Sequence, residues 1–156
     1  MSVAFTREED VEAAAAHLPD RPISPYPNLV TPKGLAGLDE ALAAARDAYA
    51  AARVSDVRAD RTAMARAARD LRYYTARRAS AQLIEPRTGT VVFGSTVTFD
   101  REDGKRQTFR IVGEDEADAA AGSVSYVSPL ARAQIGKTVG DTATLQGAEV
   151  EMVAIE

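Results

Sequence analysis

The 156-residue sequence contains no cysteine, no tryptophan and a single histidine, His17. Without cysteine there can be no disulfide, thiolate metal site or cysteine nucleophile. With one histidine, in a stretch that reads as a leader, histidine-based triads and multi-histidine metal centres are excluded too. A self-contained hydrolase of the usual kinds is therefore not expected. No apolar run approaches the ~20 residues that cross a bilayer. The opening MSVAFTREEDVE is acidic where a signal peptide would be basic and then apolar. The expectation is a cytoplasmic protein with no membrane contact. Its 46% hydrophobic content suffices for a modest core, in one domain or two small ones.

Net charge is −4, which argues against general nucleic-acid binding, but the charge is unevenly spread. Arg53 to Arg78 holds eight arginines against three aspartates, a net of +5, whereas Phe99 to Glu156 holds eleven acids and six bases, a net of −5. One half is basic and the other acidic.

The two halves also differ in periodicity. Residues 1–30 end in LPDRPISPYPNLV, where four prolines deny helical continuation, and read as an extended leader. Thr31 as N-cap and Pro32 at the first helical position then open a helix. Leu35, Leu38, Leu42, Ala45, Tyr49 and Ala52 recur at alternating spacings of three and four, a coiled-coil stripe. Met64, Ala67, Leu71, Tyr74, Arg78 and Ala81 repeat the pattern. Two such helices with a short bend near Arg53 to Asp56 must lie antiparallel, with Ser55 or Asp56 capping the second. This hairpin is expected over 31–85.

Beyond Pro86 the pattern turns to strand. VVFGSTVTF (91–99) and RQTFRIVG (106–113) flank Asp103-Gly104, a strong hairpin signal, and SVSYV (123–127) reads as a third strand. SPLARAQIG (128–136) reads as a short helix with Ser128 as N-cap and Pro129 at N1. TATLQ and GAEVEMVAI close the chain as a second hairpin. The expected fold is α+β: a helical coiled-coil hairpin, then an antiparallel five-stranded sheet with one short helix over 86–156.

FGSTVTF, RIVGEDEAD, VSYVSPLARAQIGKTVGD and VEMVAI, in this order and spacing, resemble the C-terminal, FKBP-like domain of the GreA/GreB transcription elongation factors. VTPKGLAGLDEAL and DLRYYTARRASAQLIEP resemble the two ends of that family's N-terminal coiled-coil hairpin. The resemblance covers roughly 30–156.

It implies a factor that docks its globular domain at the secondary channel of bacterial RNA polymerase and points its hairpin towards the active centre. Acidic tip residues of the family help the polymerase hold a second magnesium ion and a water, so that backtracked RNA is cleaved at its 3′ end. Magnesium prefers hard oxygen ligands, and a second ion assists in-line attack on a phosphodiester. Such a factor is not an enzyme by itself. It binds no cofactor or metal in isolation, uses the polymerase's Mg2+, meets nascent RNA only inside the complex, and is expected to be a monomer.

The tip departs from the family. Nothing like the acidic GDLKENAE of longer members occurs in AAARVSDVRADR (50–61), and the arms are about two turns shorter, on the order of 10 Å at ~1.5 Å per residue. Shortened Gre-like proteins of the Rnk type bind polymerase without stimulating cleavage, so a non-cleaving channel regulator is the alternative. An FKBP-like interaction or isomerase module is a third reading, disfavoured by the few aromatics of the C-terminal half.

Asp56 and Asp60, at i and i+4 on one helix face, are the candidate catalytic tip acids; the alternative is a cap and an arginine partner. Arg58, Arg61, Arg66, Arg69 and Arg72 form a basic patch suited to RNA or an acidic channel wall, or else a solvated face. Tyr73 and Tyr74 read as seam and support residues. EDEAD (114–118) lacks the ligand alternation and glycine of an EF-hand loop and reads as a solvated loop. By the resemblance, Asp118, Ser128, Pro129 and Leu130 contact polymerase; otherwise they cap and pack.

Overall fold

The computed structural model describes residues 18–54, 59–85 and 87–156, without the side chains of residues 59 and 60. The expected cap at Ser55 or Asp56 lies outside the described residues. Helix α1, Pro32–Arg53, starts where proline and threonine set it: Thr31 Oγ1 accepts from Gly34 N at 3.0 Å, and Leu35 N donates to the Thr31 carbonyl. Helix α2 spans Ala59–Ser80. Asp39, near the start of α1, accepts from Arg78 Nε, near the end of α2, at 2.6 Å, so the helices run antiparallel.

Leu38, Leu42 and Ala45 of α1 and Ala67 of α2 are buried, on the expected stripe. Three positions of that stripe differ, and one of them, Ala81, lies past the end of α2. Met64 is 37% exposed, and near the end of α2 it is Arg77 that is buried, while Arg78 turns to Asp39. A charged head with a partner in water gains nothing from the seam.

By packing, the described residues divide into two units: Leu38–Ser80 with residues 18–25, and Tyr26–Gly37 with Ala81–Glu156. These limits differ from the expected boundaries after residues 30 and 85. The reason is a parallel pair: β1, Leu29–Val30, lies beside β2, Gln82–Leu83, extended by Gln82 N to Asn28 O (2.8 Å) and Ile84 N to Val30 O (3.0 Å). Both flanks of the hairpin sequence thereby join the sheet unit.

That unit is built on β3 (Thr96–Arg101), β4 (Arg106–Val112), β5 (Ser123–Ser125), β6 (Thr142–Leu145) and β7 (Ala148–Ile155), in the order β5-β4-β3-β7-β6. The expected antiparallel sheet is corrected in one place: β5 runs parallel to β4, pairing Arg110 with Ser123 and Val112 with Ser125. The ten residues between them include a 3-10 turn, Ala119–Ala121, and carry the chain back level with Arg110, so that β5 runs beside the last three residues of β4 in the same direction. The strand expected from residue 91 is β3 and begins at Thr96, because Gly94 takes φ +90° and Ser95 N donates to the Val92 carbonyl in a turn.

Alternating residues of the strands (Val97, Phe99, Ala143, Leu145, Val150, Met152) meet Ile111, Val91 and Ala131 in one core. Ala131 belongs to helix α3, Pro129–Gln134, which packs on β6. At the Asp103-Gly104 turn, Asp103 Oδ1 accepts from Lys105 N at 2.9 Å. Just inside it, Arg106 grips both oxygens of Asp100 at 2.7 and 3.0 Å, which holds the Asp100 carboxyl below its ordinary range. Hydrogen bonds from Thr138 N and Oγ1 do the same for Asp141.

Candidate functional site

In the helical unit the functional candidates lie along α2. At about 100° per residue, Arg61, Arg66, Arg69 and Arg72 fall within one broad sector of that helix. Arg61 and Arg66 are exposed, and Arg69 is half-buried with its Nε 3.8 Å from Asp70. Arg58 and Asp56 lie outside the described residues. Asp60 is the second residue of α2, and nothing is described of its side chain. Among the described residues no group of three or more histidine, cysteine or acidic side chains is placed to hold a metal.

Residues that sequence reasoning missed lie against this face. Asp20 accepts from Arg72 Nε at 2.7 Å, and Arg21 Nη1 donates to Asp70 at 3.2 Å. The Arg21 guanidinium also sits 3.8 Å from the centre of the Tyr73 ring and 5.1 Å from that of Tyr74. A hydrogen bond to Tyr74, then Asp70, holds Arg21 protonated more firmly than usual. Tyr73 and Tyr74 themselves meet edge to face at 5.2 Å. The only sequence signal was a reciprocal order of charges, Asp20-Arg21 against Asp70 and Arg72.

In the sheet unit, the candidate docking residues form one continuous loop, strand and helix start. Asp118 is the N-cap of the 3-10 turn, accepting from Ala120 N at 3.1 Å, and its own N–H donates to Ser123 Oγ at 2.9 Å. Ser128 caps α3 through Ala131 N at 3.2 Å, Pro129 follows it exposed, and half-buried Leu130 packs against the core. All four thus have local structural work. Beside them, Ile135 and Val139 are 41% and 59% exposed, an apolar surface at the end of the same motif.

EDEAD holds a surprise: Glu116 Oε2 accepts from Thr31 Oγ1 at 2.6 Å while the same hydroxyl accepts from Gly34 N. The acid and the N-cap together close the start of α1, where negative charge is favoured by the helix dipole. A cavity of about 330 Å³ lined by Leu83, Ile84, Glu85, Arg87, Val92 and Phe93 contains one aromatic ring, poor material for the aromatic pocket of a prolyl isomerase. Among the described residues no helix is long and apolar enough to cross a membrane.

Residues 86–156 match the family described as "Transcription elongation factor, GreA/GreB, C-term". The chain is 49% identical over 84 residues to the transcription elongation factor GreA of Alkalilimnicola ehrlichii, covering 49% of this chain and 53% of the relative. It is 53% identical over 64 residues to that of Sphingopyxis alaskensis, covering 39% and 40%. The chain thus spans about half the length of the curated relatives it matches. Among solved structures it is similar to GreA factor homolog 1 (Gfh1) of Thermus thermophilus, with 23% identity over 84% of this chain and 99% of that one; the TM-score of 0.40 carries no functional argument.

Proposed function

We propose, from the premise that this chain belongs to the GreA/GreB family through its C-terminal domain, that it is an RNA polymerase-binding transcription elongation factor. The observation that carries the reading is the match of residues 86–156, which includes the capped helix Pro129–Gln134 and its exposed flank. The sheet unit supplies the address: Asp118, Ser128, Pro129 and Leu130 dock on bacterial polymerase at the secondary channel. The hairpin supplies the reach. Each helix has 22 residues, hence a length of about 33 Å at ~1.5 Å per residue. The partner is cytoplasmic, and so is this protein. The chain acts in trans as a monomer with no cofactor of its own, and meets the RNA 3′ end inside the polymerase.

Cleavage stimulation is the first use of that reach. Asp56 and Asp60 would add oxygen ligands for the polymerase's second Mg2+, where contact distances near ~2 Å leave no tolerance for a tip that stops short. The second reading is a Rnk-like occupant of the channel that regulates without cleaving. It is favoured by the short arms and by a tip with two aspartates where longer members carry a denser acidic cluster.

Backtracked elongation complexes of the cognate polymerase, supplied with magnesium, separate the readings. Cleavage by the wild-type chain that falls at least about 100-fold in Asp56→Ala/Asp60→Ala, with polymerase binding unchanged, supports the first; ligands lost only from the transition state act on the rate. No cleavage, but competition against a GreA relative, supports the second. Neither effect at saturating concentration would sink both.

A further inference from the structure

We propose that residues 18–25 are a strap laid over Arg72 and the Tyr73 ring, at one end of the arginine face of α2, and that single-stranded RNA displaces it. The strap is the stretch LPDRPISP, whose three prolines keep it extended and lower the entropy cost of seating it. It is held with little apolar burial, and Ile23 is 50% exposed. Its described anchors are Asp20 on Arg72, Arg21 on Asp70, and Arg21 over Tyr73. All are exposed or half-exposed: the side chains of Arg72 and Asp20 retain 54% and 69% of their accessible surface. Exposed ion pairs and exposed cation–π contacts are individually weak and the former are screened by salt. A segment seated this way is suited to release.

What the strap occupies points to its competitor. The Asp20 carboxylate sits on Arg72, where a phosphate would sit, and the planar Arg21 guanidinium covers Tyr73, where a base would stack. An anion beside a planar group is the pattern of a nucleotide, and arginines interleaved with an aromatic face are how single strands are held without sequence preference. An acidic protein surface would use Arg72 but has no use for the Tyr73 face, which is why RNA is favoured. The inference rests on the proposed function only in that RNA is the ligand this hairpin meets.

The test uses the full chain, no polymerase, and a labelled single-stranded RNA of about 12 nucleotides, within the range one binding module covers. Arg21→Ala removes a positive charge, so simple electrostatics predicts weaker RNA binding. The strap predicts the opposite: about three- to tenfold tighter binding, because losing the Arg21 contacts with Asp70, Tyr73 and Tyr74 loosens the strap over Arg72 and Tyr73. Asp20→Asn should act in the same direction, and Arg72→Ala added to Arg21→Ala should reverse the gain. Unchanged helical circular dichroism checks that the hairpin is intact.

A second readout follows the strap itself. Arg21 side-chain NMR signals, shifted by the Tyr73 ring in the free protein, should return to ordinary positions as RNA saturates. Weaker or unchanged binding by Arg21→Ala, a ring shift that persists at RNA saturation, or no RNA binding by any variant would each overturn the proposal. Release by polyglutamate but not by RNA would overturn the RNA assignment. Because polymerase is absent, these outcomes are independent of whether the chain binds it.

Discussion

Phe99→Ala is expected to destabilise the sheet unit by about 3–5 kcal/mol, measured by urea unfolding followed by circular dichroism. Phe99 is fully buried in β3, the middle strand of five, and stacks on Phe109 of β4 with ring centres 6.3 Å apart. Val97, Met152 and Ile111 belong to the same cluster. Backbone hydrogen bonds to β4 and β7 on either side hold the strand in place, so the space left by the ring has little way to close. Since whole domains are stable by only about 5–15 kcal/mol, the loss should leave a substantial unfolded population in mild denaturant. Phe99→Leu keeps more of the volume and should cost clearly less. A Phe99→Ala loss below about 1 kcal/mol would mean that this cluster is not the unit's core.

Gly113→Ala should be nearly as damaging for a different reason, at about 3 kcal/mol or more. A methyl at this position would lie deep inside van der Waals contact with the carbonyl oxygen of Leu29, which is backbone and not the movable end of a side chain. Neither side can retreat cheaply. Leu29 is in β1, paired with Gln82, and the Gly113 carbonyl accepts from Glu116 N at 3.3 Å and Ala117 N at 3.1 Å. Gly37 in α1 is the matched control, because its added methyl meets nothing within 4 Å. There the same change should stabilise by about 0.5–1 kcal/mol, as alanine outranks glycine in a helix. Opposite signs for one chemical substitution at two glycines are the result to look for. Equal, small effects would contradict the close approach of residues 29 and 113.

The contrast between these positions shows what the sequence could and could not reveal. Signals that act over a few residues were legible: Thr31-Pro32 at the start of α1, Asp103-Gly104 at the first hairpin, Ser128-Pro129 before α3, and the alternation of buried residues along β6. Pairings across long separations were not. β1 and β2 are two residues each, too short for any periodicity, and their partnership moved the unit boundaries. Parallel pairing of β5 depends on the path of the preceding loop, which composition does not encode. Thr31 and Glu116 are 85 positions apart, and the strap contacts span 49 and 52. Exposed polar partners leave no hydrophobic pattern, so the strap read only as a proline-rich leader. The candidate docking residues are located by resemblance; the cap at Ser128 is legible in its own sequence, whereas the 3-10 turn that Asp118 caps carries no such signal.

The two units carry different parts of the proposal. Residues 86–156 of the sheet unit match the family and include the candidate docking residues, while the helical unit carries an arginine face and a tip whose sequence departs from the family's acidic pattern. A factor that retained the first and altered the second would keep its partner and change what it does there. The most direct measurement is therefore equilibrium binding of the fluorescently labelled full chain to bacterial RNA polymerase core enzyme, with an unlabelled GreA relative as competitor. The account predicts saturable one-to-one binding, displaced by the relative, and weakened at least about tenfold by Leu130→Glu in a chain that still folds, a loss within the range of single interface anchors. No saturable binding under conditions where the GreA relative binds would contradict it.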